Sequence, residues 1–406
     1  MRYPFLTVVG SLLISLGMQQ DVGADHHLAA GASRMAPLFD GTFEGWQKLG
    51  GKARYAIEDG VVVGTSVPNT PNTFLSTKKH YGDFILEYEF LVDPRLNSGV
   101  QIRSHSLTSY HNGRVHGYQV EIDPDLKRAR LWSAGIYDEA RRGWLNDLTD
   151  NKPAREAFRG EQWNHIRVAA RGDSIRTWIN GIPAADLVDS MTLSGFIGLQ
   201  VHGVGKRTDP LQIRWRNLRI EDLGTRHWEP LVQGTLAGWA RAIGGQWAGV
   251  DGSLVASGSA KHPAFLVHSK HQKDVTLHLK FRARYGRGGL LVRGQDRAED
   301  GMLQGLLVDV GGERPGSLSN TSTGKLIAAA DTAVVEKWYR PGDWNDLNVS
   351  AHGSRVTIHI NHREVVDRRD VGWTATGLMA LVIQHDATVE FSTVEILGEP
   401  VRDPAK

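Results

Sequence analysis

Ile166-Arg-Val-Ala-Ala-Arg-Gly-Asp-Ser-Ile-Arg-Thr-Trp-Ile-Asn-Gly181 decides the fold. Ile166 and Val168, then Ile175 and Ile179, fall at every second or fourth position on either side of Gly172-Asp173. That period places them on one face of a strand, and the Gly-Asp step suits the turn of a hairpin. Asn180-Gly181 supplies a second turn, because both residues accept the left-handed backbone such turns need. Outward from here, Phe84-Ile-Leu-Glu-Tyr-Glu-Phe-Leu-Val92 alternates through its second half. Helical period is almost absent, and a short helix around Ala154 to Phe158 would be decoration. Short alternating runs separated by Gly, Asn, Asp and Pro predict an all-β protein, best read as a jelly-roll sandwich with one concave face.

The pattern occurs twice. Gly41, Gly45 and Trp46 return as Gly234, Gly238 and Trp239. Arg103 returns as Arg293, Gly117 as Gly305, Trp163-Asn164 as Trp344-Asn345, and Ile179-Asn180 as Ile360-Asn361. Preserved order with a drifting offset means two copies of one domain, not a short-period solenoid. Where the first copy reads Gly117-Tyr-Gln-Val-Glu-Ile122, the second reads Gly305-Leu-Leu-Val-Asp-Val310. The polar face has become apolar in the second.

The expected organisation is a signal peptide over 1–24, a linker over 25–35, one domain over 36–223, a second over 228–398, and a disordered tail over 399–406. Arg2, the apolar Phe5 to Met18 and the small residues Val22-Gly23-Ala24 have the order of an export signal. The apolar run is short for a membrane span. Cysteine is absent, which excludes disulfides and thiolate metal sites, and the expected location is a bacterial periplasm or the extracellular space. A formal net charge of +2 gives no electrostatic case for nucleic acid.

Residues two apart on a strand share a face. Gln101 with Arg103, Gln119 with Glu121 and Asp123, and Gln200 with His202 therefore form three polar rows. Their neighbours Val100, Ile102, Val120, Ile122, Leu199 and Val201 would pack inside. If the three strands adjoin, a polar concave surface results, on which Arg103 would hold Glu121 ionised and His202 would titrate near neutrality. A solvated sheet face is the plain alternative. Gln, Asn, Arg and His nevertheless suit fixed hydrogen bonding to sugar hydroxyls better than the Lys, Glu, Ser and Thr of ordinary surfaces. His116 is a further candidate. Gly135-Ile-Tyr-Asp-Glu-Ala-Arg-Arg-Gly-Trp-Leu145, after a strand-like Ala129 to Trp132, reads as a rim loop. There Tyr137 or Trp144 would stack on a sugar ring, and Asp138, Glu139 or Arg142 would fix hydroxyls. The matching stretch of the second copy, Ser319 to Ala330, has none of these groups.

Several motifs together resemble one family. They are Leu38-Phe-Asp-Gly41 with Gly45-Trp46, Asn97-Ser-Gly-Val-Gln-Ile-Arg103, Gly117-Tyr-Gln-Val-Glu-Ile-Asp123, Gly135-Ile-Tyr-Asp-Glu139 and Gly198-Leu-Gln-Val-His202. The chain resembles the 3-keto-disaccharide hydrolases, also described as 3-keto-glucoside lyases and hydratases, closely over the first copy and loosely over the second. The resemblance implies two tandem concanavalin-like jelly rolls, export, and action on glycosides oxidised at carbon 3.

Such a ketone acidifies the proton on carbon 2. A base removes it, the enolate expels the aglycone from carbon 1, and water adds back across the unsaturated sugar. This chemistry needs a base, donors for the enolate oxygen and an acid for the leaving group. Glu121 or His202 is expected as base or acid, with Arg103 and Gln119 binding the enolate or a hydroxyl. Asn97, Gln101, His116, Asp123, Tyr137, Glu139, Arg142, Trp144 and Gln200 are expected to contact substrate. No spacing demands a cofactor, although Glu121, Asp123, His116 and His202 are compatible with a divalent cation. The expected partner is a glycoside or oligosaccharide, with an upstream sugar oxidoreductase to make the ketone. Two rivals stand beside this reading. A conventional glycosidase needs a second carboxylate about 5–5.5 Å from the first, whereas Glu121-Ile-Asp123 is followed at the third acidic position by Leu126. A lectin-like protein would bind sugar without reacting. The second copy, with Leu291 for Gln101 and Leu307 for Gln119 but Arg293, Asp309 and His385 nearby, is expected to pack on the first copy or a partner and turn nothing over.

Overall fold

The computed structural model describes residues 34–124, 130–232, 236, 238–258, 262–297, 299 and 302–402. The expected signal segment, nearly all of the linker, Leu126 and Ala129 lie outside them. No helix among the described residues is long and apolar enough to cross a membrane.

Both copies are built almost wholly from antiparallel strands. The quoted stretch folds as read: Asn164–Arg171 pairs with Ser174–Ile179, which pairs in turn with Ile182–Val188. Asn180 and Gly181 have φ of 49° and 84°, the left-handed pair of a two-residue hairpin turn. Asn180 also donates to the carbonyl oxygen of Ala157 at 2.7 Å and to Asn164 Oδ1 at 2.9 Å. Asn361 donates to Trp338 and Asn345 at the same two distances. The repeated Trp-Asn and Ile-Asn motifs are thus a structural clasp. It secures the end of a capped helix, Lys152–Ala157 in one copy and Thr332–Trp338 in the other.

In the first copy two sheets face each other. The outer one runs Ile182–Val188, Ser174–Ile179, Asn164–Arg171, Asp83–Val92, Gln212–Gly224, Val61–Thr65 and Arg54–Glu58. The other runs Gly143–Asn146, Ile136–Glu139, His116–Ile122, Ser98–His105, Phe196–Val201, Thr73–Thr77 and Trp46–Gly50. Between them Phe84, Tyr88, Phe90, Val100, Ile102, Tyr118, Val120, Ile122, Leu199 and Trp215 are essentially without solvent contact. Each such side chain contributes about 1.5–3 kcal/mol by leaving water.

The second copy differs at its corners. The first copy leaves Asp83–Val92 and re-enters at Ser98 through residues 93–97, and leaves Phe196–Val201 and re-enters at Gln212 through 202–211. Their counterparts Val275–Asp296 and Gly377–Leu397 are single bent strands that pass from one layer to the other. The second copy therefore has no loops at these two corners.

Two expectations need correction. Arg130 to Trp132 is not a strand: the left-handed φ of 51° at Leu131 breaks extension, and Gly135 N–H bonds back to Trp132 O at 2.9 Å. The chain after Gly398 is not free as far as Val401, which exchanges two backbone hydrogen bonds with Thr225 at 2.9 and 2.8 Å.

Candidate active site

Register brings the three polar rows together. Gln101 lies opposite Gln119 and Gly198, and Gly99 lies opposite Glu121 and Gln200. Glycine at 99 has a local purpose, because the Gln119 side chain lies across it. A Cβ there would stand 2.5 Å from Gln119 Cγ.

The amides form a directed chain. Ser104 Oγ donates to Gln101 Oε1 at 2.7 Å, and Gln101 Nε2 donates to Gln119 Oε1 at 2.7 Å. Gln200 Nε2 donates to the same oxygen at 2.8 Å. With its oxygen taken twice, Gln119 must present its NH2, which donates to Glu121 Oε2 at 2.8 Å. Asn97 Nδ2 donates to the other oxygen of Glu121 at 2.5 Å. Glu121 is 4% exposed. Burial pushes its carboxyl up to about 7 against these two donors, with the charges of Asp123 and Glu139 adding to the rise.

Above this row is a cavity of about 880 Å³. Its walls come from the two corner segments, from Asp123-Pro124 and Arg130, and from the hairpin of Ile136–Glu139 and Gly143–Asn146. Glu121, Gln119, Asn97, Asp123, Tyr137, Glu139, Trp144 and His202 all line it. Tyr137 and Trp144 meet edge to face at 5.3 Å, and Trp132 backs Trp144 at 4.8 Å, giving a rigid aromatic wall. His202 Nδ1 donates to Gly203 O at 2.8 Å, so in the neutral ring Nε2 is left as an acceptor. Glu139 is raised above the ordinary carboxyl range by burial, opposed by Arg114 at 3.7 Å, by His202 and by a hydrogen bond from Asn72.

Other expected residues lie elsewhere. Arg103 is not beside Glu121. A register slip between Ile102 and His105, with φ of 46° at Arg103, breaks the alternation and turns the side chain away. Fully buried, it donates to Gly82 O at 2.8 Å, Gly172 O at 2.6 Å and Asp83 at 3.1 Å. Arg293, with φ of 55°, makes the matching bonds to Lys273 O and Asp274, and takes Trp373 O in place of the hairpin glycine carbonyl. A buried arginine that makes the same two bonds in both copies is a structural clamp. Gln101 and Gln200 sit behind Gln119 and orient it instead of facing the cavity. His116 is off the cavity, its ring tilted against Tyr110 with centroids 4.1 Å apart, and it is bonded to Arg114 O at 2.9 Å. Arg142 points away from it into an ion-pair cluster. Among the described residues, no three His, Asp or Glu side chains are gathered as metal ligands.

Sequence reasoning passed over Asn72, Arg95, Arg114, Arg130 and Arg207, which also line the cavity. A usable signal existed for several of them. The polar rows predict that Ser98, Ile122 and Val201 meet at one end of the sheet, so the flanking segments must gather there. Arg95, Arg130 and Arg207 lie in those segments.

The fold and the site define a jelly-roll protein with a buried, titratable carboxyl beneath a polar cavity with an aromatic wall. The chain belongs to the family of the 3-keto-alpha-glucoside-1,2-lyase-like domain, which matches residues 34–221 and again 227–397. It is thereby a carbohydrate-active protein with two tandem copies of that domain. No curated protein matches the chain. Among solved structures it is similar to a carbohydrate-binding module from Bacillus subtilis, with 22% identity over 39% of this chain and 93% of that one and a TM-score of 0.32. It is also similar to a candidate glycosyl hydrolase from Parabacteroides distasonis, with 18% identity over 47% and 94% and a TM-score of 0.34. A galectin-like protein of Bacillus subtilis gives 13% identity over 46% and 94%, and a TM-score of 0.36.

In the second copy the amide row is an apolar cluster that includes Leu291, Leu307, Ala380 and Val382, with Phe265 and Leu303. Asp309 persists, raised by burial, but has neither the Gln nor the Asn that serves Glu121.

Proposed function

We propose that the first copy eliminates the aglycone from 3-keto-glycosides, with hydration completing net hydrolysis, and that the protein is exported to do so. The observation that carries the reading is the Glu121 carboxyl. It is buried, poised at about 7, and held by two amide donors in the same cavity as His202. A base works best when its pKa lies near the working pH. Glu121 takes the carbon-2 proton, and the electron pair of that C–H bond becomes the double bond between carbons 1 and 2. The C1–O bond to the aglycone breaks, and the leaving oxygen takes the proton that His202 carries on Nε2 in its imidazolium form, Nδ1–H staying on Gly203 O. Asn97 and Gln119 place N–H donors beside the reacting carboxyl, while Tyr137 and Trp144 form a stacking surface for a sugar ring. Water then adds across the double bond.

The lectin reading predicts an aromatic wall without a titrating group, and a titrating carboxyl favours the enzyme. The test compares aglycone release from a chromogenic 3-keto-glucoside and from its unoxidised parent. Release from the ketone alone, lost in Glu121→Gln, is expected. Silence on both with sugar binding intact would assign the protein to the lectins. Export is tested by mass spectrometry of the mature chain, expected to begin near residue 25.

A further inference from the structure

Asp138 lies on Ile136–Glu139 between two cavity residues, Tyr137 and Glu139, with its side chain on the opposite face and no solvent contact. Arg142 Nε binds it at 2.6 Å. The same guanidinium reaches Asp189 with Nη1 at 2.7 Å and Nη2 at 3.1 Å, and Nη1 also donates to His362 O at 2.9 Å. His362 belongs to the second copy. It sits in the turn between Arg355–Ile360 and Arg363–Arg368, where Asn361 and His362 have φ of 48° and 62°, so its carbonyl is rigidly aimed. Asp189 also accepts from Tyr118 Oη and lies 3.8 Å from His359 of the second copy. The Arg142 side chain is 5% exposed. A planar guanidinium with five N–H groups can serve three acceptors in fixed directions, which an ammonium cannot. Other contacts between the copies, such as Arg355 to Asp186 at 2.9 Å and Arg369 to Asp186 at 2.7 Å, reach a strand of the outer sheet.

We propose that Arg142 is a positioning residue through which the second copy sets the geometry of the cavity's aromatic and acidic wall. The second copy, its own polar row replaced by leucine and valine, acts as a brace for the hairpin that carries Tyr137, Glu139 and Trp144. The kinetic part of this claim rests on the elimination reading, and the structural part does not.

The experiment uses the full chain with Arg142→Lys, which keeps the buried cation so that folding survives. Arg355→Ala is the control at the same interface. Hydrogen exchange of residues 136–146 is expected to quicken at least tenfold in R142K and to stay at the wild-type rate in R355A. On the chromogenic 3-keto-glucoside, KM should rise about tenfold in R142K while kcat changes less than threefold, because Asn97 and Gln119 hold Glu121 from other elements. Equal exchange in the two variants overturns the proposal, as does a loss confined to kcat. If the wild type releases no aglycone, exchange alone decides the bracing, and only the catalytic reading fails.

Discussion

Replacing Gln119 with leucine, the residue at the matching place in the second copy, tests the assignment of Glu121 most directly. The substitution removes one of two donors to a buried carboxylate. A hydrogen bond to a charged group contributes about 1.5–3 kcal/mol, and one pKa unit corresponds to about 1.36 kcal/mol. Glu121, at about 7 in the wild type, should therefore move up by roughly one to two units. The direction is fixed by physics, since a donor stabilises the charged form and its loss favours the proton. With a base that must be ionised, kcat/KM at pH 7 should fall about five- to fifty-fold and recover as pH rises toward 9. The variant also leaves the Gln101 and Gln200 amides, both fully buried, without their acceptor, at a cost of about 1–3 kcal/mol each. The assay is a pH profile of kcat/KM on the 3-keto-glucoside beside a denaturant melt at each pH. An acid limb that stays in place, or moves down, refutes the role given to Glu121. So does an activity loss that raised pH does not restore.

Three further outcomes follow from the same geometry. Because the folded pKa of Glu121 lies above its unfolded value of 4.5, the unfolded chain releases its proton first as pH rises. Stability should thus fall by about 3 kcal/mol between pH 4.5 and 7, and chemical denaturation of Glu121→Gln should show that much less slope. Arg103→Met strips a buried cation from Asp83 and two carbonyl oxygens, so unfolding should become easier by about 3–5 kcal/mol. The pH profile of the protein that remains folded should be unmoved, and a displaced profile would return Arg103 to the chemistry. Trp144→Ala removes half of the aromatic wall. Sugar binding measured by calorimetry should weaken about ten-fold, in line with roughly 1.4 kcal/mol of lost stacking and burial, while the folded structure persists because Trp144 is only half-buried on an edge strand.

Period-two alternation was enough to put Gln101, Gln119 and Gln200 on faces opposite the core, since Val100, Ile102, Val120, Ile122, Leu199 and Val201 all enter the core as the pattern requires, but that their strands adjoin is set by pairing the alternation does not carry. It failed at Arg103 for a local reason: one left-handed residue at a bulge reverses the face, and nothing in the side chain announces it. The consequence spread to Glu121. Without the arginine, burial and like charges raise the carboxyl that the sequence reading had kept ionised. Arg142 illustrates a different limit. Among Asp138, Glu139, Arg141 and Arg142, the sequence shows four charges on one short stretch, and only the hairpin fold separates Glu139, which faces the cavity, from Asp138 and the arginines behind it, of which Arg142 alone reaches the second copy. The apolar replacements Leu291 and Leu307 were legible, whereas the fusion of strands at the corners of the second copy was not, because strand continuity depends on pairing partners far along the chain.

Those fused corners also bear on the reversibility of the duplication. Restoring glutamine at 291 and 307 would seat polar groups in a tightly filled apolar cluster and open no space above them, since the segments that wall the first cavity have no counterpart between Val275 and Asp296 or between Gly377 and Leu397. Point mutation can turn a polar row into an apolar one through single steps of side-chain chemistry. The reverse change requires inserted backbone at two separate places. An engineer wishing to open a second cavity in this chain would therefore have to graft both corners before changing any side chain of the row.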